Sequence, residues 1–128
     1  MNPQYKTWQS AGADVCSTIT TTLLPHQFKL IPTGVFVPSD MPTNVYLDLR
    51  AKSSLFKKTG CILANGCGVI DSDYKDEILI PLLNVSNNNV EITKGMALAQ
   101  LIAQWYIRIE EWEILANERK GGFGSTGK

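Results

Sequence analysis

The chain has 128 residues, 12 Lys and Arg against 12 Asp and Glu, and an apolar share of 44%. That suffices for one domain with a buried core and is too short for a second. A formal net charge of zero leaves no global field to recruit nucleic acid or an acidic membrane surface, so a polyanionic ligand has to be met by a local cluster of charge.

Cys16, Cys61 and Cys67 show no metal-ligand spacing, and the single His26 cannot complete a zinc site. They read as reduced thiols, with Cys61 and Cys67 as small packing residues. Met1 to Lys6 lack the apolar centre of a signal peptide, and no apolar run reaches transmembrane length. The expectation is a soluble, intracellular (cytoplasmic) protein that binds neither membrane nor nucleic acid.

Met1 to Ser10 carry no periodicity and form an entry arm or a first strand. The small-residue turn Ser10-Ala11-Gly12-Ala13 ends in Asp14 and enters a β-branched run, Thr18 to Thr22, expected as a strand. From Leu24 to Val37 the pattern reads strand, turn at Pro32-Thr33-Gly34, strand. Pro38 to Thr43 is a loop, and Val45 to Arg50 alternate as a half-buried strand.

Arg50 to Gly60 is the one helical candidate, with Ser53 as cap, Leu55 and Phe56 to bury, and Gly60 to end it. A capped helix start preceded by Arg50 and Lys52 suits a phosphate chain. Leu63 to Glu77 then reads as a tight hairpin around Gly66 and Gly68, whose bare backbone can pair with the edge of a flat ligand. Asn65 adds a donor and an acceptor in one side chain. Asp71 leaves the second strand, followed by Asp73 and by Tyr74, whose ring could pack against a sugar or base. The stretch reads as a nucleoside pocket.

Ile78 to Leu83 is a buried strand in which Pro81 demands an edge or a bulge. A polar turn, Asn84 to Asn89, leads to the strand Val90 to Thr93 and the turn Lys94-Gly95. In the apolar run Met96 to Ile102, the amide of Gln100 needs backbone or a ligand phosphate as partner. Ala103 to Ile114, rich in Trp and Tyr, reads as a strand with an interface surface. Asn117 to Lys128 has no core-forming pattern and reads as a disordered end. Short strands punctuated by Pro and Gly indicate an all-β sandwich or barrel.

Gly68-Val69-Ile70-Asp71-Ser72-Asp73-Tyr74 resembles the third motif of the trimeric dUTPases. The other motifs of that family follow in order: Ala11-Gly12-Ala13-Asp14-Val15, Lys52-Ser53-Ser54-Leu55, Gly95 to Gln100, and Gly121-Gly122-Phe123-Gly124-Ser125-Thr126-Gly127 with Arg119 before it. The resemblance implies a jelly-roll β fold, residues 1–116, assembled as a homotrimer with shared sites. A mobile arm, residues 117–128, would close over the nucleotide.

It also implies hydrolysis of dUTP to dUMP and pyrophosphate with Mg2+, bound chiefly to the triphosphate, and with Asp14 on the metal side through water or phosphate. Asp71 would activate the attacking water. Lys52, Ser53, Ser54, Gln100, Arg119, Ser125 and Thr126 would hold phosphates. Uracil would meet Asn65 and the backbone of Gly68, Val69 and Ile70. Tyr74 would pack under the sugar, and Phe123 and Gly124 over the base.

The sequence departs from the family pattern in three places. Lys52 replaces an Arg, Asp76 replaces a Gly, and the spacing from Arg119 to Gly121 is one residue short. These departures motivate an alternative, a dUTP-binding regulatory module with weak turnover. A dCTP deaminase of the same fold is disfavoured, because the run Ile78 to Leu83 offers no acid.

Overall fold

The computed structural model describes residues 2–111. Its strands form a five-stranded sheet in the order β1-β2-β10-β5-β7, a three-stranded sheet β4-β8-β6 and a two-stranded ribbon β3-β9, all with antiparallel pairing. In chain order these are β1 (Gln4–Tyr5), β2 (Ala13–Cys16), β3 (Thr21–Leu23), β4 (Phe28–Val35), β5 (Val45–Ala51), the helix α1 (Leu55–Thr59), β6 (Cys61–Leu63), β7 (Gly68–Ile70), β8 (Ile78–Asn84), β9 (Val90–Ile92) and β10 (Ala97–Trp105). The architecture is the expected jelly-roll β fold.

Alternation along the strands builds the core. In β8, Ile78, Ile80 and Leu82 point inward and are fully buried. Val15, Leu23, Ile31, Leu49, Ile92 and Leu98 join them in one cluster from all three sheets. Burying each such side chain contributes about 1.5–3 kcal/mol, so the core outweighs any surface ion pair.

Several expectations are corrected. Thr18 to Thr22 do not form a continuous strand: the Ser17 hydroxyl donates to the Ile19 carbonyl (2.6 Å) and accepts from the Ile19 amide (3.1 Å), a local turn that breaks the chain before β3. Pro32-Thr33-Gly34 lies inside β4, where the register slips between Pro32 and Val35. Pro81 sits in the central strand of its sheet. Its missing N–H is tolerated because it would face the end of β6: the Pro81 carbonyl accepts from Ala64 (2.8 Å), just past the last β6 residue, Leu63.

The strand expected over Ala103 to Ile114 ends at Trp105, and Trp112 and Ile114 lie outside the described residues. Trp105, Ile107 and Ile109 are exposed apolar residues at this end. Among the described residues no helix is long and apolar enough to cross a membrane.

Candidate active site

The sequence-predicted site residues fall into two groups. The first gathers around the start of β10. Gln100 pairs in register with Asp14 of β2 on one side and Arg50 of β5 on the other. Lys52, just past β5, reaches back so that its Nζ lies 2.9 Å from Asp14 Oδ2, with both side chains about four-fifths buried. The Gln100 amide donates to the Ala51 carbonyl (3.1 Å), the backbone partner its half-buried position demanded. Its Oε1 lies so close to Gly12 that a Cβ there would collide with it. The first motif therefore needs glycine to make room for the carboxamide of the fourth.

Ser53 and Ser54 follow at the entrance to α1. Ser54, not Ser53, takes the N-cap position, and its hydroxyl makes no capping bond. Both serines line a cleft of about 880 Å³ together with Lys52, Lys57, Lys58 and Lys6. The local cationic cluster that a neutral chain requires for a polyanion is thus present. Gly60 ends the helix in the left-handed region (φ 74°), its amide bonded to the Phe56 carbonyl (2.8 Å).

The second group lies along the segment from β6 to β8. The expected hairpin is instead a crossing between sheets: β6 pairs with β8, whereas β7 pairs with β5. Gly66 (φ 75°) makes the turn, with its amide on the Leu63 carbonyl (3.0 Å). Asn65 Nδ2 lies beside buried Gly68, so these two predicted residues do come together. Cys67 is exposed at the tip of the turn, contrary to its expected packing role, while Cys61 is buried as expected. Burial pushes the Cys61 thiol pKa up.

β7 is the outermost strand of its sheet, so one row of its N–H and C=O groups faces away from β5. Alternate backbone groups of Gly68–Ile70 are therefore free to pair on that side, and the Val69 side chain is exposed. Asp71 follows directly and is exposed. Its carbonyl accepts from the Tyr74 amide (3.1 Å), and the Tyr74 hydroxyl donates to the Glu77 carbonyl (3.3 Å).

The two groups do not meet within one copy of the chain. Asp71 follows the Ile70–Leu47 pair at one end of β5, and Lys52 leaves the other end after Ala51. At about 3.3 Å per residue the two positions stand roughly 20 Å apart along the strand. Arg119, Phe123, Gly124, Ser125 and Thr126 lie outside the described residues.

Some residues escaped the sequence reading. Arg50 does not join Lys52: its Nε bonds Asp48 Oδ2 (2.9 Å), an acid buried on the outer face of the sheet, which Gln104 also reaches (3.3 Å). That hydrogen bond, then the charge of Asp48, holds the Arg50 guanidinium above its usual pKa. The alternation of β5 carried the signal, since residues 48 and 50 share a face. Glu77 was missed altogether; an acid immediately before a buried apolar run was the only sign of it.

A family model described as dUTPase matches residues 1–127. The Finegoldia magna protein named deoxyuridine 5'-triphosphate nucleotidohydrolase is 40% identical over 131 residues, covering 98% of this chain and 90% of that protein. Its namesake from Clostridium tetani is 38% identical over 130 residues, covering 98% and 88%. Among solved structures, the dUTPase of Streptococcus mutans superposes with a TM-score of 0.77 at 26% identity, covering 83% of this chain and 86% of that one. By the extent of the family match and the identity of these relatives, the chain belongs to the dUTPase family.

Proposed function

We propose that the chain is a dUTP pyrophosphatase, hydrolysing dUTP to dUMP and pyrophosphate by attack of water on the α-phosphorus. The observation that carries this reading is the exposed Asp71 carboxylate at the end of β7, beside the unpaired backbone edge of Gly68–Ile70. An acid there can orient and deprotonate a water while holding the sugar hydroxyl. Asn65 and the free edge of β7 read the uracil, in a slot with no room for a thymine methyl. Tyr74 packs beneath the deoxyribose and disfavours a ribose. Lys52, Ser53, Ser54 and Gln100 neutralise and position the phosphates. By motif likeness, Phe123 and Gly124 cover the base, and Arg119, Ser125 and Thr126 reach the phosphates.

Mg2+ belongs to this reading as an ion carried by the triphosphate. Among the described residues no group of three or more His, Cys, Asp or Glu is placed to hold a metal. Asp14 keeps one carboxylate oxygen beyond the one that Lys52 engages, a donor set that fits an ion held mainly by phosphate oxygens and reached through water. When bound, the ion neutralises phosphate charge.

The placement of the two groups at opposite ends of β5 supports a homotrimer in which Asp71 of one copy meets Lys52 and Gln100 of another. Light scattering or sedimentation of the purified chain decides the assembly. Pyrophosphate release, compared for dUTP, UTP, dTTP and dCTP in wild type and Asp71→Asn, decides the activity. Fast release from dUTP alone, lost in the variant, is expected. The alternative reading, a binding module with weak turnover, rests only on the departures at Lys52, Asp76 and the spacing after Arg119. Tight dUTP binding without pyrophosphate release would establish that instead.

A further inference from the structure

We propose that Glu77 is a positioning residue that sets the placement of Tyr74 and Asp71, and through them the preference for a deoxyribose. The inference deepens the functional reading above and rests on it. Residues 71 to 77 leave β7 in one sheet and enter β8 in another, so the segment is fixed at its ends by two separate frameworks. At the first end, Ile70 is paired with Leu47. At the second, Glu77 supplies the anchor.

One oxygen of its carboxylate, Oε2, accepts from the amides of both Thr33 (3.0 Å) and Gly34 (2.7 Å). These are the two residues left over where the β4–β8 register slips, between the pairs Pro32–Leu79 and Val35–Ile78. Thr33 is almost fully buried, so its amide would otherwise lack a partner away from water. The Thr33 hydroxyl also donates to the Ile78 carbonyl (2.5 Å), locking the slip to the residue after Glu77.

The same residue carries the load on its other side. The Tyr74 hydroxyl rests on the Glu77 carbonyl, and the Tyr74 amide rests on the Asp71 carbonyl. A shift of Glu77 is therefore passed to the ring proposed to lie beneath the sugar, and from there to the proposed base. Glu77 acts through these neighbours without touching the substrate itself.

The test compares Glu77→Ala, Glu77→Gln and Tyr74→Phe in the full chain, below their melting temperatures, with Ile80→Ala as a destabilised control. Since one acceptor oxygen takes both amides, Glu77→Gln should stay near wild type. Glu77→Ala should raise KM for dUTP and lower the dUTP-over-UTP preference, each by about tenfold, the scale expected of sub-ångström misplacement. Tyr74→Phe should lower the same preference, and adding Glu77→Ala to it should cost less than the sum of the two.

A Glu77→Ala protein with a lowered melting temperature but unchanged KM and preference, like the control, would overturn the proposal. Equal impairment of the Gln and Ala variants would do so too. Backbone hydrogen exchange across residues 71–76 separates this idea from the functional reading. Faster exchange in Glu77→Ala than in Glu77→Gln supports positioning even if wild type releases no pyrophosphate, and equal exchange refutes it.

Discussion

Lys52 Nζ lies 2.9 Å from Asp14 Oδ2, closing the cation of one motif onto the acid of another. The bridge joins the exit of β5 to the middle of β2 across Gln100 of β10, so three motifs are in mechanical contact before any ligand arrives.

Substituting Lys52→Met should raise KM for dUTP by roughly ten- to hundredfold, the value of one charge-assisted phosphate contact. It should also cost roughly 1–3 kcal/mol of thermal stability, because it leaves the Asp14 carboxylate about four-fifths buried without its cation. Lys52→Arg should lower KM, since a guanidinium can hold Asp14 and a phosphate oxygen in one planar fork. Steady-state kinetics beside a thermal melt separate the two effects.

Gly12→Ala brings a methyl into collision with Gln100 Oε1. The carboxamide has to leave the Ala51 carbonyl, and KM should rise with kcat little changed. The accompanying loss of stability should be about 1–3 kcal/mol, as for other overpacked sites. Gly12→Ala combined with Gln100→Ala should recover the stability and not the affinity, which denaturant unfolding and a titration with a nonhydrolysable analogue can check.

The three thiols should react in order of exposure, Cys67 first and Cys61 only on unfolding. Burial raises the Cys61 pKa in the folded chain above its ordinary 9.0, so the fold holds this proton more tightly than the unfolded chain does. The sign follows: the contribution is complete below the unfolded pKa and is lost as the pH climbs through the folded one. Stability should therefore fall on the alkaline side of pH 9.0, and Cys61→Ala should flatten that decline. Chemical unfolding at a series of pH values measures it.

Ile80→Ala empties space at a fully buried position of the central strand of its sheet. A loss of about 2–5 kcal/mol is expected, with the dUTP-over-UTP preference of the remaining folded protein unchanged.

Three strands read correctly from sequence. Val45 to Arg50, Ile78 to Leu83 and Val90 to Thr93 correspond to β5, β8 and β9 within a residue or so. Where the reading failed, a distant partner overrode a local signal. Pro32-Thr33-Gly34 has the composition of a turn, yet it stays inside a strand because Glu77, far along the chain, accepts its two amides. Gly66 and Gly68 resemble a hairpin, but each flanking strand finds a better neighbour in a different sheet. Pro81 is tolerated in a central strand only because β6 stops beside it.

The candidate site was legible as residue types and motif order, since Asp14, Lys52 and Gln100 do converge. The distance between that group and Asp71 was not legible, because strand pairing sets it and local composition does not record pairing.

That distance has a hereditary consequence. With Asp71 and Lys52 at opposite ends of β5, and the site completed between copies as proposed, a copy damaged at one end can still lend its intact end to a neighbour. Two defective alleles, one hit at Asp71 and the other at Lys52, would rescue each other in mixed assemblies, because some sites would inherit neither lesion. Two alleles hit at the same end would not.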